Sequence, residues 1–311
     1  MANGKSGIVF FGTSEICIPF LELLKSEFDI RLIITQPDSF GGRKKKIIEP
    51  AVKKYAAGNR IKFIQPKKLN RETASIIEGT NPTIGVVISY GKFIPGKIFR
   101  IPEFNTINVH FSLLPELRGA APYQRAIESG LELTGISIFE ICKEMDAGDI
   151  WSKKECRILP EDTSKSLSER MAAQGSVFLV ETLKEIISGE LSKNPQDHSS
   201  ATYAKAISKN EGMIDWERDS AEIFNKFRSF FPWPGISFLS WDKKITIKNM
   251  KISDEKGAGE PGSIISITKK SMKVACGNND IIEIFSILPQ GKKEMSPYIY
   301  SLGNKFENRL K

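Results

Sequence analysis

Asn108 and His110 stand two apart in "TINVHFS", and in an extended strand residues two apart share one face. A carboxamide and an imidazole side by side at the carboxyl end of a strand are placed to meet a ligand. Read alone, the pair is more simply explained by local hydrogen bonds, the usual fate of polar groups in a fold. Further along, "EMDAGDI" sets Asp146 and Asp149 around Gly148 between two apolar runs. A carboxylate there could orient His110.

Directly after the pair comes "SLLPELRGAAPYQRAI". Pro115 ends the extended stretch, and Pro122 suits the first position of a helix. Between them Gly119, Ala120 and Ala121 carry almost no side chain, so another molecule could approach the backbone closely. A tight helix–strand contact would use the same residues.

The elements that must hold these groups are legible as apolar runs. "GIVFFG", "IRLIIT", "TIGVVISYG" and "TINVHFS" read as four strands, with helices expected at 50–57, 71–79 and 166–188 and after the first strand, through "EICIPFLELLKS". Continuous Val/Ile runs alternating with helices predict an α/β domain with a Rossmann-like, mostly parallel sheet covered on both faces. Ligands of such sheets bind beyond the carboxyl ends of the strands, here 12–14, 36–46, 90–91 and 108–115. The first turn reads "GTSE" and lacks G-x-G-x-x-G, which argues against a nicotinamide dinucleotide.

Beyond residue 189 the character changes. A polar stretch with "NPQDHSS" is read as a linker over 190–209, with His198 solvated, and short β-rich runs then predict a small OB-like β-barrel over 210–311. Trp233, between prolines in "PWPG", is expected to anchor packing in that second domain.

At 311 residues, 40% hydrophobic and 26% charged, the chain has a globular composition. The opening apolar run is too short for a membrane span, and four scattered cysteines suit neither a disulfide framework nor a zinc site, so a cytoplasmic protein is expected. Net charge is +8, but from Arg43 to Arg71 eleven basic residues meet one acid, Glu49. A cluster this dense suggests a polyanion such as nucleic acid, although a solvated helix face is the plainer reading of a charge run.

At these residues the chain closely resembles the methionyl-tRNA formyltransferase family of folate-dependent formyltransferases. The likeness runs from "FFGTSE" through "TQPD", "GRKKK", "SYGKFIP", "NVHFSLLPELRGAAPYQRAI", "TGISIFEICKEMDAGDI" and "EDTSKSL" into "IDW" and "PWPG". Asn, His two residues later, SLLP, RGAAP and D-x-G-D mark the folate-dependent formyltransferases, and the basic loop and carboxyl-terminal half narrow the likeness to the tRNA enzymes. The resemblance implies a catalytic trio of Asn108, His110 and Asp146. It implies a site for 10-formyltetrahydrofolate lined by Ser112, Leu113, Leu114 and Pro115; Tyr90 and Gly91 are expected to shape that pocket through backbone, with core packing the alternative. It further implies that Arg43, Lys44, Lys45 and Lys46 meet the acceptor end of initiator methionyl-tRNA, and that the carboxyl-terminal domain meets the tRNA body. No metal is implied, and a monomer is expected. Two departures stand out: Phe111 where the family is often small, and Lys44 where it usually has glycine.

The implied reaction moves a formyl group from the folate to the methionyl α-amine, with Asn108 and a charged His110 facing the formyl oxygen, and Asp146 favouring the imidazolium and taking the amine proton directly or through a water. Related enzymes that formylate a sugar nucleotide or a purine precursor, or hydrolyse formyltetrahydrofolate, share the trio and are the rival readings. A tRNA-binding protein without chemistry is a further rival, opposed by the intact trio.

Overall fold

Every residue of "GIVFFG" is buried, as a strand covered on both faces requires. The structure is a computed structural model and describes residues 5–41, 46–257 and 259–311. In chain order its principal elements are β1 (Gly7–Gly12), α1 (Ile18–Glu27), β2 (Asp29–Ile34), β3 (Ser39–Gly41), β4 (Lys46–Ile48), α2 (Ala51–Gly58), β5 (Phe63–Ile64), α3 (Arg71–Glu78), β6 (Ile84–Ile88), α4 (Gly96–Phe99), β7 (Thr106–His110), β8 (Arg118–Gly119), α5 (Pro122–Glu128), β9 (Leu133–Glu140), β10 (Ile150–Arg157), α6 (Ser164–Ser188), β11 (Tyr203–Ala204), α7 (Ser220–Ser229), β12 (Ile236–Ser240), β13 (Lys243–Ile252), β14 (Ile264–Ile267), β15 (Met272–Ala275), β16 (Ile281–Pro289) and α8 (Pro297–Gly303). They form two units, one of residues 5–122, 133–157 and 168–205, the other of 123–132, 158–167 and 206–311.

The first unit holds a seven-stranded sheet in the order β10-β9-β7-β6-β1-β2-β5. β1, β2, β5, β6 and β7 run parallel, while β9 and β10 extend the sheet antiparallel. This is the α/β, Rossmann-like arrangement expected. Val9, Phe11, Leu32, Ile34 and Val87 join a core with Ile77 of α3 and with Ile98 and Phe99 of α4. Chain order reverses between β1 and β6, which opens the crevice at which ligands of such sheets bind. There Thr13 Oγ1 donates to the Tyr90 carbonyl at 3.0 Å and Gln36 Nε2 to the same oxygen at 2.6 Å.

Residues 190–205, read in sequence as linker, belong to this unit. Asn194 pairs with Ile150, and β11 lies parallel to β8.

The second unit is a five-stranded antiparallel sheet in the order β12-β13-β16-β15-β14. Alternate residues such as Ile245, Ile247, Val274, Ile282 and Ile284 fill its core with Ile223 of α7 and Tyr300 of α8. The chain's last residues bridge the two edges: Lys311 N–H donates to Leu239 O at 3.1 Å, and Asn308 O accepts from Ile264 N–H at 3.0 Å. Trp233 is 60% exposed and is not the packing anchor expected; Trp216, at 5%, packs against Phe238 instead. Among the described residues no helix is long and apolar enough to cross a membrane.

Candidate active site

Strand alternation in β7 turns Val109 into the sheet core and gives Asn108 and His110 the other face. Phe111 continues the core side, edge-on to Phe20 of α1 at 6.3 Å between ring centroids. The bulky residue therefore fills the packing behind the strand. Asn108 is half-buried, and among the described residues its carboxamide makes no hydrogen bond. Half of the pair thus lacks the local partner that the plain structural reading required.

His110 is 5% exposed, and its Nε2 lies 2.9 Å from the Leu117 carbonyl. A carbonyl can only accept, so Nε2 carries the proton and Nδ1 of the neutral ring is left with a lone pair. Nδ1 faces Asp146 Oδ2 at 3.8 Å. Burial pushes the imidazole below its ordinary range and outweighs the opposing effects of the Asp146 carboxylate and the Leu117 carbonyl. The charged resting imidazole expected from sequence is thus disfavoured, and the geometry suits a proton acceptor.

Asp146 sits in the loop between β9 and β10 at φ +51°, a left-handed conformation uncommon for a residue with a side chain. Its Oδ2 accepts the Gly119 N–H at 2.8 Å. The loop turns so tightly that a side-chain carbon at Gly148 would collide with the Glu140 carbonyl, which explains the glycine of D-x-G-D. Gly119, at φ +119°, has Ala204 O against it, and that oxygen accepts from Ala120 N–H at 3.0 Å and Ala121 N–H at 3.3 Å. The clearance made by Gly119, Ala120 and Ala121 is taken up by this chain's own 203–204 segment.

Of the segment 112–115, Ser112 and Leu114 are buried, with Leu114 packed against Phe139 and Ile150; Leu113 and Pro115 are half-buried. Ser112 and Leu114 can therefore face a ligand only through their backbone. That backbone is held by Ser137 of β9, whose hydroxyl donates to Ser112 O at 2.7 Å and accepts from Leu114 N–H at 3.0 Å. The sequence signal for Ser137 is a hydroxyl set between two isoleucines within the run "TGISIFEI". Tyr90 is buried edge-on to Phe11, and burial pushes its hydroxyl up to about 12; its carbonyl is taken by Thr13 and Gln36, so exposed Gly91, at φ +73°, is the open part of this pair.

Arg43, Lys44 and Lys45 lie outside the described residues. Lys46 is exposed on β4, which pairs antiparallel with β3. Phe40 of β3 and Ile47 and Ile48 of β4 are exposed as well. Lys53, in the same basic segment, is bound at 2.6 Å to Asp38 and at 2.7 Å to Glu49. His198 is exposed, as expected, and also accepts at Nδ1 from Arg118 at 3.0 Å. Among the described residues no group of three or more His, Cys, Asp or Glu is arranged to hold a metal ion, and all four cysteines are free thiols.

A parallel-sheet crevice with an imidazole, a carboxylate and an unbonded carboxamide at strand ends defines a class that comparison with known proteins supplies. The family described as formyl transferase matches residues 8–183, and its C-terminal domain matches residues 206–304. The chain belongs to this family of formyl-transferring enzymes. A methionyl-tRNA formyltransferase of Sulfurihydrogenibium sp. (strain YO3AOP1) is 42% identical over 266 residues, 85% of this chain and 86% of that one. Within the formyl transferases, the chain belongs to the methionyl-tRNA formyltransferases. Among solved structures, HypX from Aquifex aeolicus in complex with tetrahydrofolic acid is similar with a TM-score of 0.66 at 16% identity. The match covers 97% of this chain but 47% of HypX. The N-formyltransferase from Helicobacter canadensis, in complex with folinic acid and dTDP-3-aminofucose, is similar with a TM-score of 0.68 at 18% identity, covering 89% of this chain and 98% of that one. At such identities the likeness is one of fold.

Proposed function

We propose that this enzyme transfers the formyl group of 10-formyltetrahydrofolate to the free α-amine of methionine on initiator methionyl-tRNA, in support of translation initiation. The observation that carries this reading is the unbonded Asn108 carboxamide beside the His110–Asp146 pair, in a chain whose relatives are methionyl-tRNA formyltransferases.

The amine attacks the formyl carbon, and negative charge builds on the formyl oxygen. Asn108 supplies a preset N–H donor to that oxygen. The proton lost by the amine passes to His110 Nδ1, and the imidazolium so formed is stabilised by Asp146 across the short gap between them. Collapse breaks the bond from the formyl carbon to N10 of the folate, and the proton returns from His110 to that nitrogen. Leu113, Pro115 and the backbone of Ser112 and Leu114 offer the folate an edge, with Gly91 beyond. Holding two large substrates in register contributes up to about 7 to 11 kcal/mol in well-oriented systems.

In this reading Arg43, Lys44, Lys45 and Lys46 meet the acceptor end of the tRNA, and the OB-like domain from residue 210 meets its body. The formyltransferase domain expected over residues 1–189 takes residues 190–205 with it, so that segment acts as part of the domain rather than as a free linker. The enzyme acts as a monomer in the cytoplasm, where the four free thiols are stable. One assay tests the function: formyl transfer from 10-formyltetrahydrofolate with methionyl-tRNA, a dTDP-amino sugar and water as competing acceptors. Transfer to methionyl-tRNA at a kcat/KM at least a hundredfold above the others is expected; preference for the sugar nucleotide or for water would overturn the assignment.

A further inference from the structure

Gln196 lies in the segment that sequence reads as linker, yet it is only 6% exposed. Its Nε2 donates to two carbonyls of the catalytic loop, Asp146 O at 2.9 Å and Gly148 O at 2.7 Å. Its Oε1 accepts from Arg118 Nη2 at 2.6 Å and Nε at 3.2 Å. Arg118 is 4% exposed and, among the described residues, has no carboxylate within ion-pair distance; its other side-chain partner is His198 Nδ1. A buried cation without a counter-ion is costly, so an arrangement that keeps one calls for a role beyond packing.

The neighbours of Arg118 supply that role. Leu117, on one side, takes the His110 N–H at its carbonyl, and Gly119, on the other, donates to the Asp146 carboxylate. Through Gln196, the segment holding both catalytic side chains is tied to the backbone of the loop that carries one of them. We infer that Gln196 is a positioning residue for the formyl transfer step, acting with Arg118 to set how closely Asp146 approaches His110. The inference rests on the reading of His110 and Asp146 as the proton-handling pair. A shift of about 1 Å in a reacting group can cost on the order of a hundredfold in rate, so a clamp on that spacing acts on kcat.

Gln196→Glu separates positioning from packing. It gives Arg118 a counter-ion, which favours the fold, but removes both N–H donors to Asp146 O and Gly148 O. A kcat at least about tenfold below native is expected in the folded variant, with KM for both substrates within about threefold. A folded Gln196→Glu enzyme with kcat within about twofold of native, or with only KM changed, overturns the inference. Arg118→Lys keeps the charge and one donor to Gln196, and serves if the first variant does not fold. It should lose about threefold to tenfold in kcat, and native kcat in the folded variant overturns the inference equally. Asp146→Asn is measured alongside: if it keeps native kcat, the reading of the catalytic pair falls; if it loses activity while folded Gln196→Glu does not, the positioning role alone falls.

Discussion

His110 Nδ1 stands 3.8 Å from Asp146 Oδ2, beyond hydrogen-bonding distance, while that same oxygen is held at 2.8 Å by the backbone of Gly119. Asp146 is therefore positioned independently of the imidazole it serves. The carboxylate is close enough to stabilise an imidazolium formed in the reaction, and burial keeps the resting ring neutral.

Asp146→Asn retains an oxygen for Gly119 and removes the charge. It should lower kcat by roughly 10² to 10⁴ with the fold intact. Asn108→Ala should cost on the order of 10² to 10³ in kcat by removing an oxyanion donor. Steady-state kinetics with methionyl-tRNA, alongside circular dichroism, check both, and near-native turnover in either variant would remove that residue from the trio.

The neutral ring has a pH consequence. A proton acceptor must be unprotonated, and burial depresses His110 below the ordinary value of about 6.5, so activity should persist as pH falls through 6.5 and fail only below it. Because the folded state resists protonation while the unfolded chain accepts it, this group stabilises the fold fully above about pH 6.5, and that stability is lost as pH falls toward the depressed value. A proton NMR titration of His110 with its midpoint at or above the ordinary value would contradict the assignment.

Ser137→Ala leaves Leu114 N–H without its acceptor in a buried place. The loss should be about 1 to 3 kcal/mol of unfolding free energy, read from a urea titration. KM for the folate should rise more than kcat falls, because the freed backbone belongs to the 112–115 edge rather than to the reacting groups. A folded variant with native stability and native KM would show that Ser137 holds nothing there.

If Arg43, Lys44, Lys45 and Lys46 each neutralise a phosphate, raising salt from about 50 to about 200 mM should weaken tRNA binding roughly a hundredfold. Lys46→Ala should lower the slope of log affinity against log salt by about one. Filter binding over a salt series measures this. A slope unchanged by the substitution would place Lys46 away from the phosphates.

Much of the sheet and of the site is legible in the order of the residues. The apolar runs predict β1, β2, β6 and β7 and the helices near 51 and 71, because each local pattern must match the burial of its own element. Period two alone puts Asn108 and His110 on one face and Ile107 and Val109 on the other, since side-chain direction along a strand depends only on neighbouring backbone. Tertiary structure decides the rest. Whether Asp146 meets His110, whether the space beside Gly119 admits a ligand or the chain itself, and where Gln196 goes all depend on groups distant in sequence. Gly119 lies 27 residues from Asp146, and Arg118 lies 78 from Gln196. The pull on the His110 proton runs against the sequence expectation for the same reason: its neighbours favour a cation, but desolvation is set by everything packed around the ring and lowers it.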